Sequence, residues 1–340
     1  MAARYYVALG HEQFPPDALL AQAVAADEAG FDGICCSDHL QPWWEPGHSG
    51  HAWVWLGAAG ARTRRAALGT GVTAPVYRHN PVVVAQAFAT LEWMNPGRVF
   101  LGIGSGESLN ETPAGMEWPA PAEQLERMEE ALEIITRLFA GERLTYRGRH
   151  FRTTEAILHT RPERRPPVYV SAFHPGAARV AARLGDGVWC LADPELAPGI
   201  IEVYRDECGR LGREPGEIVL QATASWGPDD DAAFAGSEVW RATLLQDLYT
   251  DDVHDPRVIR RRGREEITEE AFREGAIVSA DPGEHVRRLR EIEDMGATIV
   301  VVMNASGADP VGALRVYGES VLPALRGVPA GSGTAGPTGT

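Results

Sequence analysis

Eight short apolar runs punctuate the chain: Tyr5–Leu9, Ile34–Ser37, Ala67–Thr73, Val99–Ile103, Val168–Ala172, Gly187–Leu191, Ile218–Thr223 and Thr298–Met303. They are near-continuous runs and do not alternate with polar residues. A strand covered on both faces reads this way, whereas a strand with one wet face alternates. Helical segments lie between most of them. Pro15 and Pro16 open one with apolar spacing through Leu19, Leu20, Val24 and Ala25 that ends at Gly30. Pro81 opens Val82–Met94, Pro175 starts a helix to Leu184, and Pro310 one to Leu325. Proline suits a first helical position because the N–H it lacks would be unpaired there anyway. Further helices are expected over Ala122–Ala140, Ile201–Leu211 and Gly283–Met295. The expected fold is an α/β (β/α)8 TIM barrel with insertions. A doubly wound sheet is the alternative, disfavoured by the strand count and by the lack of a ribose-binding acid after the first glycine loop.

Two stretches break the rhythm. Leu144–Phe151, with Arg147-Gly148 at its middle, reads as a hairpin insertion. A polar, arginine-rich segment over about 229–275 reads as a helical insertion, not a second domain. The expected layout is one barrel domain over 1–326 and a disordered tail over 327–340, built of Gly, Pro, Ser, Thr and Ala with one Val. A single domain of 340 residues is large, but such barrels reach that size.

Charge excludes several function classes. The formal net charge is −15 and the pI about 5.1, which disfavours nucleic acid as a partner. No stretch approaches a membrane span, and the N-terminus carries no signal-like apolar segment, so a cytoplasmic enzyme is expected. The four cysteines form no CxxC pair and are expected to be reduced and packed. All 32 basic residues are arginine. Without lysine there is no Schiff-base chemistry and no phosphate-loop lysine. His48 and His51 have HxxH spacing in a Gly/Pro loop with no third ligand in view, so no metal site is expected.

Chemistry-bearing residues cluster after the strands. Gly10-His11-Glu12-Gln13-Phe14 follows the first. Ser37-Asp38-His39-Leu40-Gln41-Pro42-Trp43 follows the second. Gly102-Ile103-Gly104-Ser105-Gly106-Glu107-Ser108-Leu109-Asn110-Glu111 follows the fourth, and Phe173-His174-Pro175-Gly176-Ala177 the fifth. On a barrel these loops share one mouth. A carboxylate beside an imidazole can set its tautomer and tune it for acid–base work. The bland reading of Asp38 and His39 is a capped turn with packed side chains. The bland reading of the glycine run is a tight turn, and of Pro175-Gly176 ordinary helix initiation.

In the same order and spacing, these motifs, together with Gly69–Pro75, resemble the luciferase-like flavin and deazaflavin oxidoreductases. Within them the chain is similar to the coenzyme F420-dependent glucose-6-phosphate dehydrogenase group, from about Tyr5 to Leu325. The resemblance implies a barrel, usually homodimeric, with the deazaflavin over the mouth. It implies that His39 sits beside the reactive carbon, that Glu107 exchanges a proton during hydride transfer, that Trp43 stabilises passing charge, and that Glu12 supports them. It implies cofactor contacts at Asp38, Ala74, Ser105, Gly106 and Asn110, with Phe173, His174, Gly176 and Ala177 toward the phosphate. A non-proline cis peptide would fall at Gly71-Val72, backing the ring.

The sequence departs from that group where the sugar phosphate is held. Leu191 and Pro194 stand where threonine and lysine are expected, leaving Arg262 and Arg288 as later basic candidates beside Leu191 in substrate binding. The expected activity is hydride transfer between an alcohol or sugar, possibly phosphorylated, and F420. An FMN-dependent monooxygenase or reductase is the alternative, and a non-catalytic carrier or sensor a third reading. The paired proton-transfer groups argue against the last.

Overall fold

The computed structural model describes residues 3–327; apart from Gly327, the tail expected over 327–340 lies outside them. Nine strands run parallel: β1 (Arg4–Leu9), β2 (Gly33–Cys36), β3 (Ala67–Thr70), β4 (Leu101–Ile103), β5 (Val168–Ser171), β6 (Gly187–Leu191), β7 (Glu217–Ser225), β8 (Ile277–Val278) and β9 (Ile299–Asn304). The order is β3-β2-β1-β9-β7-β6-β5-β4, with the two-residue β8 beside β7. Parallel bridges Leu68–Val99 and Thr73–Ile103 join the two ends and close the barrel. The eight apolar runs therefore form the eight barrel strands, and the doubly wound sheet is excluded.

Side-chain alternation gives two layers. Tyr5, Val7 and Leu9 of β1 pack outward with the helices, while Tyr6 and Ala8 face the barrel interior with Cys35, Phe100, Tyr169, Trp189, Val219 and Val301. Burying each large apolar side chain contributes about 1.5–3 kcal/mol. Glycines make room for the interior rings. A Cβ at Gly33 would lie 2.6 Å from the Tyr6 ring, and one at Gly71 2.8 Å from Trp189.

Three features were not anticipated. A helix, Ala52–Arg62, occupies the connection between β2 and β3. A four-residue helix, Ser108–Glu111, ends the glycine run. The third run stops as a strand at Thr70, because Gly71–Thr73 leaves β2 and turns toward β4. The hairpin at Leu144 pairs Leu144 with Ala156 and Arg147 with Arg152, extending past Phe151. Between β7 and β8, helices Asp230–Ser237, Pro256–Glu266 and Glu269–Gly275 flank two 3-10 turns. No described helix is long and apolar enough to cross a membrane.

Candidate active site

The C-terminal ends of β1, β2, β4 and β5 open on one mouth, as parallel strands require. Glu12 leaves β1 and is 1% exposed. Its Oε2 accepts from the Ser37 hydroxyl at 2.8 Å, which fixes the carboxylate after β2. Its Oε1 lies 3.2 Å from His39 Nδ1, and His39 Nε2 lies 3.9 Å from Glu107 Oε2. Neither contact is aligned as a hydrogen bond: His39 Nδ1 and Glu107 Oε2 are both buried without a partner. The imidazole thus lies between two carboxylates without a hydrogen bond to either. Burial, reinforced by the Glu12 charge and opposed by His39, raises the Glu107 carboxyl above its ordinary range.

Asp38, the next residue, faces the other way. Its carboxylate accepts from Thr73 Oγ1 at 2.7 Å and Arg78 Nη2 at 3.3 Å, and it lies 3.4 Å from His79 Nε2. Burial, the largest influence, pushes its pKa up. His79, Arg78 and Thr73 together outweigh burial and leave the carboxyl far below its usual range. Trp53 completes this wall: its Nε1 donates to Thr73 Oγ1 at 3.2 Å and its ring packs 4.3 Å from His79. Arg78 also donates its backbone N–H to Glu111 at 2.8 Å. Arg78 and His79 carry no signal in the sequence beyond a polar stretch past the third run, and Glu111 stands only as the last residue of the glycine motif after the fourth. Their common target appears only once the barrel closes.

The remaining expected residues divide by position. Trp43 is buried, with its ring 6.3 Å from His39 and 5.4 Å from Tyr249, and Tyr249 is 5.1 Å from Phe173. This aromatic arc joins the β2 and β5 loops through a residue of the long insertion. Asn110 Oδ1 accepts from Leu40 N at 2.8 Å and ties the β2 and β4 loops together. The Gly71-Val72 peptide is cis. Gly102 and Gly104 are needed for packing: a Cβ would lie 2.1 Å from Thr70 O and 2.7 Å from Val72 Cγ2 respectively. Gly106, with φ +89°, turns the chain beside Ala74, and Ser105 lies between these glycines. Glu107 is thereby aimed back into the mouth. His174 Nδ1 accepts from Ala177 N at 3.4 Å, so His174 caps the helix Pro175–Leu184 on which Gly176 and Ala177 form the first turn. Leu191 closes β6.

Arg262 and Arg288 do not join this cluster. Arg262 is engaged by Asp247 at 2.8 Å and Glu266 at 2.6 Å. Arg288 donates to Glu274 O at 2.7 Å and sits 3.7 Å from Glu291. The sequence could not reveal that both guanidiniums are already neutralised.

Together, a cis-peptide floor, glycine backbone, and a rim of buried carboxylates with unpartnered imidazole and carboxyl atoms suit a flat heterocycle with polar edges. The "Luciferase-like monooxygenase" family model matches residues 2–299. An F420-dependent glucose-6-phosphate dehydrogenase of Microbacterium testaceum is 41% identical over 93% of this chain and 95% of its own length. An F420-dependent hydroxymycolic acid dehydrogenase of Mycobacterium tuberculosis is 39% identical over 94% and 88%. Among solved structures, an F420-dependent secondary alcohol dehydrogenase in complex with an F420-acetone adduct superposes with a TM-score of 0.91 at 29% identity, covering 96% of this chain and 100% of that one. With likeness on this scale in both sequence and structure, the chain belongs to the luciferase-like family.

Proposed function

We propose that this protein is an F420-dependent dehydrogenase acting on the CH–OH group of an alcohol or sugar. The observation that carries the reading is His39 held between Glu12 and Glu107, 3.2 and 3.9 Å away, with its Nδ1 and Glu107 Oε2 buried and unpartnered. That arrangement occurs in a chain 41% identical to an F420-dependent dehydrogenase. When bound, the deazaflavin supplies the centre that accepts or returns the hydride. His39 takes the hydroxyl proton at Nε2, the nitrogen on the Glu107 side, and the Glu12 carboxylate beside Nδ1 stabilises the imidazolium that results. Glu107, whose carboxyl burial raises above its ordinary range, holds the second proton of the redox change at its carboxyl. Trp43 packs beside the imidazole and excludes water. Asp38, Gly71, Val72, Ala74, Ser105, Gly106 and Asn110 would hold the ring system, and Phe173, His174, Gly176 and Ala177 the phosphate end.

Anaerobic loss of F420 absorbance on addition of an alcohol tests the reading. General acid–base assistance is worth about 10²–10⁴ in rate. His39→Ala should therefore lower kcat by at least 10²-fold while F420 affinity changes only severalfold. Wild-type turnover in that variant removes the assignment.

We also infer a homodimer. Val54, Val83, Trp93 and Met94, on the neighbouring helices Ala52–Arg62 and Pro81–Met94, are 50–73% exposed. An apolar group of that kind favours burial against a second copy. The four free buried cysteines fit a reducing compartment, the cytoplasm.

A further inference from the structure

A cavity of about 800 Å³ opens at the opposite end of the barrel from the catalytic mouth. Its lining comes from where the strands begin: Arg4 starts β1, Ala67 starts β3, and Phe100, Pro167 and Asp186 immediately precede β4, β5 and β6. Residues at this end of a barrel ordinarily serve stability. Here the charges do not cancel. Arg4 pairs with Glu217 at 2.5 Å, Arg165 with Asp186 at 2.6 Å, and Asp32 with Arg326 at 2.9 Å. Arg65, Arg98 and Arg164 also line the cavity, and among the described residues they form no ion pair. Arg98 donates to neutral oxygens of Ala66 and Thr63, and Arg65 to the Asp27 carbonyl. Against these three cations stand Glu92, whose oxygens accept from Gly97 N at 2.5 Å and Val99 N at 3.0 Å, and Asp27 just outside the lining, which accepts from the backbone N–H groups of Arg64, Arg65 and Ala66. Positive charge is left over, in a chain whose formal net charge is −15.

The floor holds a second set of free groups. Tyr6 and Tyr169 are each 4% exposed, with their rings in the barrel interior, yet both line this cavity. Neither phenol hydroxyl has a hydrogen-bond partner among the described residues. Burial pushes the Tyr6 phenol up to about 12 and raises that of Tyr169 as well, so both hydroxyls stay protonated at neutral pH and can donate. Arg65 and Arg164 are exposed and Arg98 is half-buried, so the cations stand nearer the rim than the phenols.

Guanidinium forks match phosphate oxygens, and a phenol hydroxyl both donates to and accepts from an alcohol. The volume is that of a metabolite site, larger than a bare ion fills. We propose that this end of the barrel is a second binding site, taking a phosphate monoester that carries hydroxyl groups. Arg65, Arg98 and Arg164 hold the phosphate, and Tyr6 and Tyr169 the hydroxyls. The site is separate from the catalytic mouth. Phe100, 5.7 Å from the Tyr169 ring and 6.4 Å from the Trp189 ring, fills the barrel between them, and Trp189 lies against Gly71 of the cis peptide.

Isothermal titration of the full chain with ribose 5-phosphate, ribose and inorganic phosphate tests the proposal, without F420 and again with F420 at saturation. The expected result is binding of ribose 5-phosphate at least 10-fold tighter than of either control, and unchanged within twofold by F420. Arg164→Ala and Tyr169→Phe should each weaken it about fivefold or more, the loss of one hydrogen bond, while their melting temperatures and F420 affinity stay those of the wild type. No binding of ribose 5-phosphate overturns the inference, as does inorganic phosphate binding equally well. Competition by F420 places the anion in the catalytic mouth and overturns it too, as does wild-type affinity in both variants.

Discussion

Asp38→Asn removes one negative charge and almost no volume, and the structure sets what this costs. The Asp38 side chain is 2% exposed and faces Arg78 at 3.3 Å, His79 at 3.4 Å and Thr73 at 2.7 Å. Deleting one partner of a buried charge pair costs about 3–5 kcal/mol, because the other charge is left uncompensated. Arg78 retains its bond to the Asp38 carbonyl at 2.8 Å and the Glu111 carboxylate 3.9 Å away. The low end therefore applies, about 3 kcal/mol. At roughly 2 °C per kcal/mol for a large domain, the melting temperature falls by about 6 °C. The pH dependence gives a second signature. The folded-state pKa of Asp38 lies below its unfolded value, so the stabilisation is fully present above the ordinary aspartate range. It is lost as pH falls below about 4, where the unfolded chain takes up the proton first. Urea unfolding of both proteins from pH 8 to pH 3 should show a constant gap down to about pH 5 that narrows below pH 4. A gap under 1 kcal/mol at pH 7, or one that stays constant to pH 3, refutes the electrostatic account of Asp38.

Glu107→Gln should cost about 10²-fold or more in kcat. It should also abolish the alkaline fall in activity that follows loss of the proton through the raised Glu107 pKa; a pH profile retaining that limb argues against the role. Gly104→Ala drives a Cβ to 2.7 Å from Val72 and should destabilise by about 1–3 kcal/mol while weakening F420 binding in a fluorescence titration. Gly199→Ala, in a helix with nothing within 4 Å, should be neutral or stabilise by about 0.5 kcal/mol in the same unfolding assay. Trp93→Asp places a charge in the exposed apolar group and should convert a dimer to monomer in light scattering; a wild-type monomer removes the dimer proposal.

The barrel was legible because both faces of each strand are buried, which leaves a continuous apolar run that sequence alone reveals. Glu12, Asp38, His39 and Glu107 could be located by the rule that residues past strand ends meet at one mouth. The helix Ala52–Arg62 was hidden by its composition: it begins without a side-chain cap and contains Trp53, Val54, Trp55, Gly57 and Gly60, all weak helix formers. Tyr249 joins the aromatic arc from the insertion, more than 200 residues from Trp43 in sequence, and nothing local marks it. The partners that set the Asp38 pKa and those that neutralise Arg262 are side-chain meetings fixed by tertiary packing, so charge was visible in the sequence and its compensation was not.

The central claim, that the His39–Glu107 mouth is built for a deazaflavin, is tested most directly by titrating the purified apo-protein with F420 and separately with FMN, followed by fluorescence. The account predicts tight binding of F420 and weak binding of FMN, with F420 affinity reduced in Gly104→Ala. Tight FMN binding with weak F420 binding, or binding of neither, contradicts it.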